Sequence, residues 1–276
     1  MSTEPKRKSS LRYLVPNALT GASMMFGLVS LTSAANGNYA LAGWMILYAV
    51  LFDRLDGLVA RALKATSQLG MQLDSFADFL NFGVAPAALV YRFLTTRADL
   101  PFAAHGWQWI ALTGASGFWV LCAVFRLARY NITADDAMPT KIFFGVPSTL
   151  AGGLVATWFL ALYKYDVVAP VFGGPRVLSE CRTPSAIWLY APIALALGAF
   201  AMVSSLPMPK GAISANWAFR GFVAGGMLFG YVAGFAQTLP EILVIFPTAW
   251  VVVFLIWGQL SKEARSLTAP PWFAEK

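Results

Sequence analysis

The chain has 276 residues, 58% of them hydrophobic and 12% charged, with a mean hydropathy of +0.62 and a formal charge of +7 at pH 7. So apolar a composition excludes a soluble domain and reads as an all-α, polytopic integral membrane helix bundle. Two cysteines, Cys122 in an apolar run and Cys181 in a loop, exclude a disulfide framework. The basic excess does not call for nucleic acid, because in a membrane protein the distribution of Lys and Arg says more than their sum.

Taken in order, residues 1–12 carry Lys6, Arg7, Lys8 and Arg12 with no signal-peptide cleavage pattern behind them. They read as a cytoplasmic surface segment that attracts anionic headgroups. Apolar spans are expected at 14–35, 39–62, 76–95, 107–130, 146–164, 186–206, 220–239 and 241–259, each near the ~20 residues a crossing needs. Pro86 and Pro147 are expected to kink helices, and the last two spans abut at Pro240. The loop Asp166–Thr183, with Gly173-Gly174-Pro175, reads as an outward-facing connector. With the N-terminus inside, 15 basic residues fall on the cytoplasmic side and Arg92, Arg97, Lys164, Arg176 and Arg182 on the other. That bias satisfies the positive-inside rule and puts the active site at the cytoplasmic face of the membrane. His105, the one histidine, falls on the outer side, away from any chemistry.

One stretch departs from the apolar background: Asp53-Arg54-Leu55-Asp56-Gly57-Leu58-Val59-Ala60-Arg61, then Gly70, Asp74 and Asp78. Ionisable groups at membrane depth are costly and mark function. On a helix, Asp53, Asp56, Gly57 and Ala60 fall within an arc of about 100°. Asp74, Asp78 and Asn81 share a face on the next segment. A turn near Ala65 and Thr66 brings Asp56 level with Asp74 and Asp53 level with Asp78. Four carboxylates so placed need cations, and an oxygen-only set suits a hard divalent ion, Mg²⁺ or Mn²⁺. Two such ions can clamp a pyrophosphate.

The spacing D-x2-D-G-x2-A-R-x8-G-x3-D-x3-D, complete from Asp53 to Asp78, resembles the signature of the CDP-alcohol phosphatidyltransferases. The resemblance implies that Asp53, Asp56, Asp74 and Asp78 are metal ligands and that Asp78 is also the general base. It assigns Gly57, Ala60 and Arg61, with Asp56, to nucleotide and phosphate contacts with CDP-diacylglycerol. Gly70 belongs to the same signature and is counted with the CDP-diacylglycerol-binding residues, although its own chemistry reads more as a turn residue than a contact. A six-helix catalytic core is implied over 13–206, followed by a C-terminal helix pair and tail over 207–276, and a homodimer through membrane helices.

Val15-Pro16-Asn17-Ala18-Leu19-Thr20, Asn81-Phe82-Gly83-Val84-Ala85-Pro86, Phe125–Asn131 and Phe144-Gly145-Val146-Pro147-Ser148 resemble the phosphatidylserine synthase branch of that family. This sequence departs from the branch at Asn81, Tyr130, Val146 and Ser148-Thr149. A serine acceptor brings a carboxylate, for which Arg126, Arg129 and Lys141 are the candidate cations. Glycerol 3-phosphate and inositol phosphate would use the same cations, and choline an aromatic cage. From another class, a cation transporter or channel accounts for the aspartates but leaves Gly57, Ala60 and Arg61 without a purpose.

Overall fold

The computed structural model describes residues 11–65, 67–104, 106–133, 142–178, 181–209 and 217–261, with 264 and 266. The basic segment 1–10, Thr66, His105, Lys141 and most of the C-terminal tail lie outside the described residues. Helix α1 (Leu11–Ala35) and helix α2 (Tyr39–Ala62) form an antiparallel hairpin. Their turn uses Gly37 at φ +78° and the Asn38 side chain, which accepts from Leu41 N. Small residues let the two backbones approach, so Ser30 Oγ donates to Ala42 O at 2.9 Å and Ser23 Oγ to Ala49 O at 3.4 Å.

After α2 the chain reverses through Lys64, at φ +48°, into Ser67. Ser67 caps α3 (Gln68–Asp78) by accepting from Gly70 N at 3.0 Å. A π-helical segment, Phe79–Val84, joins α3 to α4 (Ala85–Thr95). The three pieces make one apolar stretch, Gln68–Thr95, so this crossing begins earlier than the expected 76. Pro86, in the first turn of α4, supplies no N–H, and Ala85 N bonds Leu80 O five residues back. Trp119 Nε1 donates to Phe82 O within the widened segment, at 3.1 Å.

Helix α5 (Trp107–Thr133) is followed by a strand that periodicity did not announce, β1 (Ile142–Phe144). It precedes α6 (Ser148–Lys164) and pairs antiparallel with β2 (Pro207–Pro209), which follows α7 (Ala191–Val203). Pro147 is therefore the residue before α6 rather than a kink within it. Gly145, at φ +77°, is obligatory, since a Cβ there would meet Met202 O and Ser204 O. The ribbon fixes the start of α6. Helices α8 (Trp217–Phe235), α9 (Pro240–Leu243) and α10 (Ile245–Leu260) complete the described chain.

Five stretches among the described residues are long and apolar enough to cross a bilayer: Tyr13–Ala35, Gln68–Thr95, Trp107–Ile132, Ser185–Val203 and Pro240–Leu260. The protein is thus a multi-pass integral membrane protein. The other three expected crossings are also helical. Helix α2 carries Asp53, Arg54 and Asp56, α6 has 17 residues, and α8, of 19 residues, includes the apolar piece Ala224–Phe235.

At the end remote from the aspartates, the loop after α6 is bonded far more densely than a plain connector. Asp166, 1% exposed, accepts from Arg97 Nη1 at 2.9 Å and Trp188 Nε1 at 2.6 Å. Arg97 also forks onto Asp99, and this hydrogen bonding holds the Asp99 carboxyl down at about 2. Lys164, equally buried, donates to Gly173 O, Pro175 O and both oxygens of Glu241, the last at 2.9 and 3.0 Å. That ion pair ties α9 to α6. Removing the carboxylate with Glu241→Ala leaves a buried ammonium without its counter-charge and should cost about 3 kcal/mol. The check is thermal unfolding in detergent, where an unchanged midpoint would show that the pair contributes nothing net.

Candidate metal centre

The turn at 63–67 lays α3 back along α2, so the acidic faces of the two helices meet. One carboxylate oxygen from each of Asp53, Asp56 and Asp74 lies within 4.8 Å of the others. Asp56 is buried at 5% exposure, Asp53 is half-buried and Asp74 is exposed. Each of the deeper acids is gripped by a hydroxyl from another helix. Thr20 Oγ1 of α1 donates to Asp56 Oδ2 at 3.0 Å, and Thr149 Oγ1 of α6 to Asp53 Oδ2 at 3.4 Å.

Asp78 is outside that trio but adjoins it, deeper in the protein. Its carboxyl touches that of Asp53 and accepts from Ser148 Oγ at 3.3 Å, while its Oδ1 is buried with no partner among the described residues. Ser148, itself fully buried, also accepts from Arg126 Nη1 at 2.9 Å. Arg126 thus presents its charge to the acid pair through a hydroxyl, with Nε turned into the protein. Two carboxyls in contact must share a proton or a cation. An oxygen-only donor set with an orphaned carboxylate oxygen beside it fits a hard divalent ion, and the residues to hold one are Asp53, Asp56 and Asp74, with Asp78 adjoining.

The other expected contacts are placed unevenly. Arg61 folds back one turn over Gly57, where a Cβ would lie 3.5 Å from its Nη1, an ordinary contact that does not itself require glycine. Ala60 is half-buried on the same helix, one turn beyond Asp56. Gly70 is in the first turn of α3, not in the loop, and a Cβ there would crowd Asn17 Oδ1 at 3.2 Å, so it admits α1. Asn81 does not share the aspartate face, because the π-helical turns begin at Phe79 and Asn81 instead donates to Ser23 Oγ on α1 at 2.9 Å. Arg129 is half-buried one turn after Arg126, and nearby Asn131 Nδ2 donates to Ser75 Oγ at 2.9 Å.

Sequence reasoning passed over Thr20, Ser148 and Thr149 as partners of the acids. Thr20 closed a quoted motif, and Ser148-Thr149 stood out as a departure. A hydroxyl at the mouth of an apolar span, level with a buried acid, was the available signal.

The sequence profile of the family described as CDP-alcohol phosphatidyltransferase matches residues 13–203. A Helicobacter pylori protein named CDP-diacylglycerol--serine O-phosphatidyltransferase is 33% identical over 153 residues, covering 55% of this chain and 60% of its own length. A Mycobacterium leprae protein of that name is 31% identical, covering 59% of this chain and 58% of its own. A Bacillus subtilis protein, also so named, is 35% identical over 138 residues, covering 50% of this chain and 71% of its own. The match thus spans about 60% of the length of the first two relatives.

An ion bound only by the folded state stabilises it by about 2.7 kcal/mol at a hundredfold excess over Kd. Mn²⁺ or Mg²⁺ should therefore raise the melting temperature in detergent, and Asp56→Ala should abolish the rise. A rise that survives the substitution would remove Asp56 from the ligand set.

Proposed function

The chain belongs to the CDP-alcohol phosphatidyltransferase family, and we propose that it moves the phosphatidyl group of CDP-diacylglycerol to L-serine, giving phosphatidylserine and CMP. The observation that carries this reading is the convergence of Asp53, Asp56 and Asp74 with Asp78 against them, at one end of a membrane helix bundle. The names of the relatives support the lipid donor and the serine acceptor.

In this reading the pyrophosphate lies over Asp56, Gly57, Ala60 and Arg61, with the Arg61 guanidinium on a phosphate oxygen. Divalent ions, two by family analogy, would be held by Asp53, Asp56, Asp74 and Asp78 and, when bound, supply the positive charge that a pyrophosphate and a CMP leaving group need. Asp78 Oδ1 takes the proton of the serine hydroxyl as its oxygen attacks the lipid-side phosphorus, and the bond from that phosphorus to the CMP oxygen breaks. Ser148, with Arg126 behind it, holds the other oxygen of Asp78 and aims the carboxyl. Arg126 and Arg129 are the cations for the serine carboxylate, with Lys141 nearby in sequence. The positive-inside bias supports a site at the cytoplasmic face of the cytoplasmic membrane, where CDP-linked lipid and serine would meet.

The test is CMP release by purified protein from CDP-diacylglycerol with Mn²⁺ or Mg²⁺ against serine, glycerol 3-phosphate, inositol phosphate, inositol and choline. Serine alone should stimulate it. Another alcohol doing so would overturn the acceptor, and silence with all of them in a folded, metal-binding protein would overturn the reaction. Asp78→Asn should lower turnover by a hundredfold or more, roughly what a general base contributes. Turnover that persists within tenfold would remove that role from Asp78.

A further inference from the structure

A second feature adjoins the aspartates and owes half of its wall to helices outside the matched region 13–203. Between α2 and α6 on one side and α8 and α10 on the other lies a cavity of about 100 Å³. Thr149, which donates to Asp53, and Arg54, the residue after Asp53, line one end. From Thr149 to Thr157 the cavity follows α6 for about 12 Å, at 1.5 Å per residue.

The wall suits hydrocarbon. Its hydroxyls are already engaged within the protein: Thr149 on Asp53, Thr157 Oγ1 on Leu154 O at 3.0 Å and Tyr231 Oη on Leu51 O at 3.2 Å. Gly226, Gly230 and Gly234, each one helical turn from the next, make one side of it, with Gly153 opposite. The three are not equivalent. A Cβ on Gly226 would strike Phe246 at 2.5 Å and one on Gly234 would lie 3.2 Å from Leu51, whereas a Cβ on Gly230 meets nothing within 4 Å. Gly230 therefore faces the open part of the cavity, and the other two glycines let α8 pack. One polar atom stands out: Trp250 Nε1, on α10, is buried with no acceptor among the described residues. The carbonyl of an ester is an acceptor that an apolar slot of this kind admits.

The geometry points to this cavity as a slot for one acyl chain of the lipid donor, so that α8 and α10 act in recognising the donor's tail. The inference rests on the proposed transfer reaction for the identity of the lipid. Continuity with the acid site fixes the direction, with the phosphate end beside Asp53 and Arg54 and the chain running between Gly230 and Trp250. The Lys164–Glu241 pair, which ties α9 to α6, holds the outer end of this wall against the core.

Gly230→Leu tests it, since a Cβ there meets nothing within 4 Å and leucine is the better helix former. With dioleoyl CDP-diacylglycerol, kcat/KM should fall about tenfold, the loss in KM, as expected for overfilling a packed site. With a dihexanoyl donor it should stay within about twofold. Equal losses with both donors, or none with either, would overturn the assignment. A second arm needs no turnover: a CDP-diacylglycerol carrying a photoreactive diazirine in its acyl chain should label peptides of α8 and α10, and Gly230→Leu should suppress that labelling. Labelling confined to other helices would overturn the slot. Labelling of α8 and α10 by a protein inactive with every acceptor would support the slot while sinking the transfer reaction.

Discussion

Mutual repulsion among four carboxylates in an apolar bundle is the constraint on which the rest of the structure depends. Each of Asp53, Asp56, Asp74 and Asp78 would be costly alone at membrane depth, and placing them together raises the cost. The fold meets this by bringing a donor to the deep acids from three other helices. Thr20 comes from α1, Thr149 and Ser148 from α6, and Arg126 of α5 stands behind Ser148. These bonds orient the carboxyls but leave Asp78 Oδ1 without a partner among the described residues. The remaining negative charge is what would draw a cation to Asp53, Asp56 and Asp74.

Holding that arrangement requires two local departures from regular helix. The π-helical turns from Phe79 to Val84 follow directly on Asp78 and send Asn81 to α1, so the acidic face ends at Asp78. The ribbon of β1 and β2 fixes where α6 begins, and hence where Ser148 and Thr149 point. Gly145 is the hinge of that second device, since no side chain fits between it and the end of α7. Regularity is given up beside the chemistry, and the polar groups are satisfied from neighbouring elements, as with Trp119 and Phe82 O.

What was legible in the sequence is what depends on period and on local cost. The spacing of Asp53, Asp56, Asp74 and Asp78, read at 100° per residue with one reversal between, foretold that the acidic helices meet, because helix geometry alone sets it. Eight apolar runs were legible as helices, although α2 is too charged and α6 too short to cross by composition alone. What escaped depends on contacts between distant segments. The pairing of Ile142 with Pro209 carries no alternating pattern over three residues, and the π-helical turns carry no composition signal beyond Pro86. Gly70 looked like a loop glycine, but a Cβ there would crowd both Ser67 Oγ, the cap of its own helix, and Asn17 Oδ1, 53 positions away along the chain.

The two ends of the bundle are stabilised by different means, and this bears on how a lipid substrate can be handled. At the end away from the acids, Arg97 with Asp166 and Lys164 with Glu241 are buried ion pairs with several further bonds each, which tolerate little displacement. At the acid end the contacts are single hydroxyl bonds at 3.0 to 3.4 Å and a three-residue ribbon. Such bonds to carboxylates contribute about 2 kcal/mol each, so a cation ligated by the same oxygens can replace them at modest cost. A bundle locked at one end and lightly tied at the other can admit a cation among its acids without giving up its fold.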